Sequence, residues 1–223
     1  MTRFDDYAFA WSDPESDAEM QNKYTGSPLI VCLVGLSHSR EMMGAMSSLN
    51  ISSDNITYHW VRSRYPDNIV PGFVQRLIDL KCSKTVVAVG QWAASKKVPG
   101  GQPYLFETWE LRMREVIGLL KNASIDTLFR SIHYNPISKI GGSCPPTDWR
   151  SPPVIDGYNA VLEKLTKELD VPYVDSNKYF IGPVWDSAPD WCHVQAESGQ
   201  AEAQYVLASI IKQRSAPTHN LVV

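Results

Sequence analysis

The chain has 223 residues, 43% of them hydrophobic and 20% charged, with a formal net charge of −3 and a sequence pI near 5.9. That length and apolar fraction fit one large domain with a full core and exclude collagen, coiled coil and wholly disordered chains. The mildly acidic balance provides no basic face, which argues against nucleic acid as a partner.

Residues 1–20 carry six acids (Asp5, Asp6, Asp13, Glu15, Asp17, Glu19) against Arg3, a net of −5. Residues 1–27 therefore read as a polar acidic arm. The opening lacks the basic start and apolar core of a signal peptide, which favours the cytoplasm. The N-x-S/T acceptors at Asn50, Asn55 and Asn122 point the other way, so the compartment stays open. Pro28 to Val34 is a continuous apolar run bounded by Gly26-Ser27 and Gly35, the pattern of a strand buried on both faces. Arg40 to Leu49 carries Met42, Met43, Met46 and Leu49 at helical spacing, and Ile56 to Val61 alternates as a second strand. A short helix starts near Pro71. Thr85 to Val89 is a third buried strand, and Tyr104 to Lys121 a long helix with Trp109, Met113, Val116 and Leu120 on one stripe.

Ile125 to Ile132 reads as a fourth strand, followed by a loop rich in Pro, Gly and Ser from Asn135 to Pro153. Ile155 to Leu169 is helical, Val171 to Val174 a fifth strand, Asn177 to His193 irregular, and Ala196 to Lys212 a final helix. Strands alternating with helices define one α/β domain over residues 28–215, with a parallel five-stranded sheet between helical layers and a tail at 216–223. No run approaches the roughly 18 apolar residues of a membrane span, so no membrane partner is expected. Four cysteines (Cys32, Cys82, Cys144, Cys192) are too few for a disulfide scaffold, although Cys144 and Cys192 both fall in rim loops and are candidates to pair. Without a CxxC a structural zinc site is not expected, and the reading calls for no other metal and no cofactor.

In a parallel sheet the ligand crevice lies beyond the carboxyl ends of the strands. After the first strand stands Gly35-Leu36-Ser37-His38-Ser39-Arg40. A serine there presents its hydroxyl to the crevice and its N–H near a helix N-terminus, which suits a nucleophile that generates an oxyanion. The plainer alternative is a helix cap, for which Ser37 or Ser39 serves equally well. Before the last helix stands Asp190-Trp191-Cys192-His193, where the carboxylate can orient the imidazole and leave its other nitrogen free as a base. After the third strand, Gly90, Gln91 and Trp92 offer a backbone approach, an amide and an aromatic wall, or simply a packed turn. After the fourth come Arg130, His133 and Asn135, a polar cluster able to grip substrate unless Arg130 only occupies the sheet rim.

These blocks resemble the SGNH (GDSL-type) hydrolase superfamily, and within it the PC-esterase branch, over Leu29 to Ile211. Gly35-Leu36-Ser37 with Arg40 resembles the opening Gly-Asp-Ser block. Thr85 to Trp92 resembles the strand ending in Gly-x-Trp, and Asp190 to His193 the closing Asp-x-x-His. The resemblance implies a flavodoxin-like three-layer α/β/α fold, with Ser37 as nucleophile, His193 as base and then acid, and Asp190 orienting it. Its substrate would be a small-molecule or glycan O-acyl ester, and loop tryptophans Trp92, Trp149, Trp185 and Trp191 would suit sugar rings.

Leu36 replaces the family's Asp, no glycine matches its second block, and Trp92 stands where other members have the oxyanion-hole Asn. The remaining donors are the Ser37 N–H, a backbone N–H near Arg62 or Ser63, and the Gln91 amide. Those departures leave two alternatives to a hydrolase: an O-acetyltransferase, or an inactive relative that binds a glycan or protein. A flavodoxin-like nucleotide binder lacks its glycine-rich loops here. The oligomeric state is not legible in the sequence.

Overall fold

The computed structural model describes residues 24–49, 51, 54–95, 101–135, 150–183, 193 and 196–215. The two rim-loop cysteines Cys144 and Cys192, Asp190, and the tryptophans at 149, 185 and 191 lie outside those residues. So do the acidic arm up to residue 23 and the tail from 216.

The strands are β1 (Leu29–Gly35), β2 (Ile56–Arg62), β3 (Lys84–Ala88), β4 (Thr127–Arg130) and β5 (Tyr173–Val174), all parallel, in the order β2-β1-β3-β4-β5. The helices are α1 (Ser37–Ser48), α2 (Pro71–Asp79), α3 (Phe106–Asn122), α4 (Pro152–Glu168) and α5 (Ala196–Ser215). This is the expected three-layer α/β/α arrangement. The strand at Ile125 to Ile132 is shorter than its apolar run suggested. The helix expected from Ile155 starts at Pro152, since proline at the first helical position forfeits no hydrogen bond.

A strand's period of two divides the core into two layers. Leu29, Val31, Leu33, Val86 and Leu128 pack with Met42 and Met46 of α1 and Val206, Leu207 and Ile210 of α5. Cys32, Val34, Val87 and Phe129 face the opposite layer, with α2, α3 and α4. Arg130 shares the parity of Leu128, so a charged residue at the end of β4 is directed under α5 rather than out to the rim.

The layer on α3 and α4 supports the loop after β3. Trp109 stacks on Tyr158 with ring centroids 4.8 Å apart, and its indole N–H donates to the Tyr158 carbonyl at 3.0 Å. The Tyr158 hydroxyl in turn donates to the carbonyls of Ala93 (3.2 Å) and Tyr104 (2.5 Å). Among the described residues no helix is long and apolar enough to cross a membrane.

Cys32, fully buried in β1, forms a disulfide with Cys82, just ahead of β3, at a Cα separation of 5.7 Å and 50 residues apart in sequence. Neither cysteine carried a sequence signal for pairing, because their proximity arises from β1–β3 register. Closing a loop of that length removes unfolded-chain entropy worth about 4 kcal/mol. Cys82→Ser should therefore lower stability by up to about that amount, read as a lower midpoint in urea. A midpoint unchanged from that of the oxidised wild type would contradict the link.

Candidate active site

β1 ends at Gly35, whose φ is +153°; a Cβ there would stand 2.2 Å from Ser39 Oγ and 2.7 Å from the Ala88 carbonyl. Only glycine lets the chain turn there so close to β3. The buried Ser39 hydroxyl donates back to the Val34 carbonyl at 3.2 Å, which ties the first turn of α1 to its strand. Neither serine caps the helix: the cap position is Leu36, and no side chain bonds there. Ser37 is the first helical residue, so its N–H belongs to the first turn, whose amides have no intrahelical acceptor. Among the described residues its hydroxyl makes no hydrogen bond.

Ser37 and His38 line a small crevice with Ala88, Gln91, Trp92, Arg130, Ile132 and His133. Residues expected at the ends of the first, third and fourth strands thus converge. Gly90 serves packing: with φ at +131°, a Cβ would stand 2.4 Å from Ile132 and 2.7 Å from the Trp109 ring. The Gln91 amide donates to the Asn135 side chain, and Asn135 is buried with its N–H on the Arg150 carbonyl. Arg40 is exposed, its guanidinium over the Trp60 ring at 5.7 Å and outside the crevice lining. The Ser63 N–H, a candidate oxyanion donor by sequence, is occupied by the Gly35 carbonyl at 3.1 Å.

Stacked on Trp92 is a residue that sequence reasoning passed over. Arg64, after β2, lies 4.0 Å over the Trp92 ring, with Arg150 at 5.1 Å from the same ring. Because β1 runs between β2 and β3, the Arg64–Trp92 stack spans the end of β1, where Ser37 stands.

His193 stands beside the same turn. Its ring meets His38 edge-on at 5.5 Å between centroids, and His38 lies 4.9 Å from His133. The two remote stretches therefore meet on one face of the molecule. The expected Ser37–His193 hydrogen bond is not formed. His193 Nε2 lies 3.2 Å from Glu41 Oε1, close enough for an ion pair though off the line of a hydrogen bond. Glu41, four residues after Ser37, projects from the same side of α1 and draws the imidazole along the helix.

Beneath the crevice Glu202 of α5 accepts on a single oxygen, Oε1, from Arg130 Nη1 (2.6 Å), His133 Nε2 (2.7 Å) and Ser176 Oγ (2.5 Å). Arg130, His133 and Glu202 are each only 2% exposed. Burial pushes the His133 imidazole below its ordinary 6.5, with Arg130 adding to the effect, so the ring is neutral. Burial raises the Glu202 carboxyl, but Arg130 and the donors on Oε1 more than offset it and hold the group below its ordinary 4.5, ionised. Sequence flagged Arg130 and His133 but not Glu202, which is one acid among several on a surface helix until α5 docks.

A larger cavity, about 560 Å³, lies across the same segment, lined by Tyr134, Asp156, Glu163, Asp175, Asn177 and Lys178 among others. It holds carboxylates but neither a serine nor a histidine among its described lining, so the smaller crevice, which has Ser37, His38 and His133, is the candidate site. Among the described residues no cluster of His, Cys, Asp and Glu could hold a metal ion.

No protein-family model matches the sequence, and no curated protein is similar to it in sequence. Solved structures do match in three dimensions. An acetyl xylan esterase, AlAXEase, superposes with a TM-score of 0.65 at 14% identity, over 82% of this chain and 100% of that one. A GDSL-like lipase from Bacteroides thetaiotaomicron superposes with a TM-score of 0.60 at 14% identity, over 95% and 100%. A catalytic mutant of an acetylxylan esterase from Geobacillus stearothermophilus gives 0.56 at 12% identity, over 82% and 94%. The chain has the fold of the SGNH (GDSL-type) hydrolase superfamily.

Both His133 and Glu202 bind fewer protons folded than unfolded, so stability falls as pH falls. The loss begins below about 6.5 for His133 and adds Glu202 below about 4.5, each approaching about 1.4 kcal/mol per pH unit. Urea midpoints taken from pH 8 to 4 should decline in that order, and His133→Phe should flatten the part between 6.5 and 5. A wild-type midpoint level down to pH 5 would contradict the assignment.

Proposed function

We propose that this protein is a serine esterase of the SGNH type acting on small acyl esters, with O-acetyl groups of carbohydrate as the favoured substrates. The observation that carries the reading is the unbonded Ser37 hydroxyl at the first position of α1, with the His193 ring packed against the adjoining His38. Ser37 Oγ attacks the ester carbonyl as its proton passes to His193. The alkoxy C–O bond breaks and the alcohol leaves with that proton, giving an acyl-enzyme. Water then attacks with His193 as base, the acid is released, and the Ser37 hydroxyl is restored. A sugar hydroxyl in place of water would make the same site an O-acetyltransferase. Asp190 is the residue proposed to orient His193 once the imidazole turns from Glu41 to Ser37, catalytic hydrogen bonds being commonly long without substrate. The first-turn N–H groups of α1, at the positive end of a 12-residue helix, supply the oxyanion donors. The Cys32–Cys82 bridge supports an oxidising compartment over the cytoplasm.

One observation favours a non-catalytic glycan or protein binder instead: the Ser63 N–H is occupied and Trp92 stands at the family's amide donor. Losing one oxyanion donor typically costs about 10²–10³ in rate. An organophosphonate serine probe separates the readings. Labelling of the folded protein that disappears in Ser37→Ala supports the esterase, and no labelling of a folded sample supports the binder. His193→Ala should reduce turnover of p-nitrophenyl acetate by about 10⁴ or more, a loss of the kind seen when a triad base is removed. Wild-type turnover should rise with pH between 5 and 8, the range in which imidazoles usually lose their proton. Equal turnover in His193→Ala, or a flat profile, would remove His193 from the mechanism.

A further inference from the structure

We propose that Glu202 is a positioning residue which turns Arg130 and His133 so that together they hold one hydroxyl group beside Ser37. The inference rests on the esterase reading for its chemistry and deepens it.

A carboxylate only accepts hydrogen bonds. His133 Nε2 lies 2.7 Å from Glu202 Oε1 and also within hydrogen-bond distance of Arg130 Nη1; because Arg130 already donates to that oxygen, the imidazole proton is assigned to Nε2, toward the carboxylate, with a bare lone pair on Nδ1. Arg130 commits Nη1 to the same oxygen and keeps its Nε–H for another acceptor. Both leftover atoms, His133 Nδ1 and Arg130 Nε, are buried and have no hydrogen-bond partner, as is Gln91 Oε1. All three residues line the crevice that contains Ser37.

Buried polar atoms are nearly always satisfied, so three orphans at one crevice mark a binding point rather than chance. The set is one donor and two acceptors. A water serves all three, and an alcohol hydroxyl serves the donor and one acceptor; a methyl offers neither and a carbonyl no hydrogen. The crevice has room for about 20 Å³ against the roughly 10–15 Å³ that one water-sized group needs, so it takes a single such group.

Two sources supply that chemistry: the water that resolves the acyl-enzyme, or a hydroxyl beside the ester on the alcohol being released. Without Glu202 the imidazole could place its proton on either nitrogen, and the Nδ1 acceptor would be lost in part of the molecules.

The direct test is ¹⁵N NMR of the histidine side chains in the full chain. His133 should show the Nε2–H form, unchanged between pH 5.5 and 8, and Glu202→Gln should give a mixture of tautomers. Kinetics then separate the sources in His133→Phe, which keeps a ring in place and leaves Glu202 with Arg130 and Ser176. If water is the guest, deacylation slows about tenfold relative to acylation, the equivalent of about 1.4 kcal/mol for one hydrogen bond. If a substrate hydroxyl is the guest, the preference in kcat/KM for a vicinal hydroxy-acetate over its O-methyl analogue collapses by a similar factor. A protonated Nδ1, a titrating His133, or a folded His133→Phe unchanged in both ratios overturns the proposal. Should Glu202→Gln not fold, the wild-type tautomer and His133→Phe still decide. Phosphonate labelling of Ser37 is read in parallel: its absence overturns the esterase reading, whereas labelling with an unchanged His133→Phe overturns this inference alone.

Discussion

One carboxylate oxygen joins the last helix to the sheet. Glu202 Oε1 takes donors from the end of β4, from the segment after it and from Ser176 beyond β5, all away from water. In such surroundings a charge without its counter-charge costs about 3–5 kcal/mol, so the three groups are tolerated only together. The network therefore fixes where α5 docks, and with it the approach of the segment that carries His193. It also decides that the floor of the crevice is polar.

The second constraint is steric and lies at the end of β1. Gly35 turns against the Ala88 carbonyl and Ser39, so α1 begins two residues after the strand ends. That tight turn puts Ser37 at the head of the helix, where unbonded amides and the helix dipole favour an anion. The Arg64–Trp92 stack then closes over the same strand end and adds positive charge to the wall. The end of β1 is thus bordered mainly by first-turn amides and by guanidinium groups stacked on an indole.

The position of His193 is set by a carboxylate of the helix that also carries Ser37. Glu41 projects from the helix that carries Ser37 and holds Nε2 at ion-pair distance. Ser37 and Glu41, four residues apart, lie on the same side of α1, so the imidazole stands within about one helix turn of the serine's position on the helix. The edge contact with His38 seats the ring beside the first turn of that helix.

Hydrophobic periodicity by itself determined the order of elements, the parallel sheet and the strand ends at which function would gather, because burial on both faces of a strand writes a continuous apolar run into the chain. Ser37, Gln91, Trp92, Arg130 and His133 were all legible in this way, and the structure gathers them. What no linear pattern could hold were the partners chosen by docking: Cys82 for Cys32, Arg64 for Trp92, Glu41 for His193 and Glu202 for Arg130. Each is an ordinary residue in its own segment, and each acquires its meaning only when β-register or helix packing brings two distant stretches within a few ångströms and removes the water between them. Desolvation turns such pairings from indifferent to decisive, and it is a property of the folded interior alone.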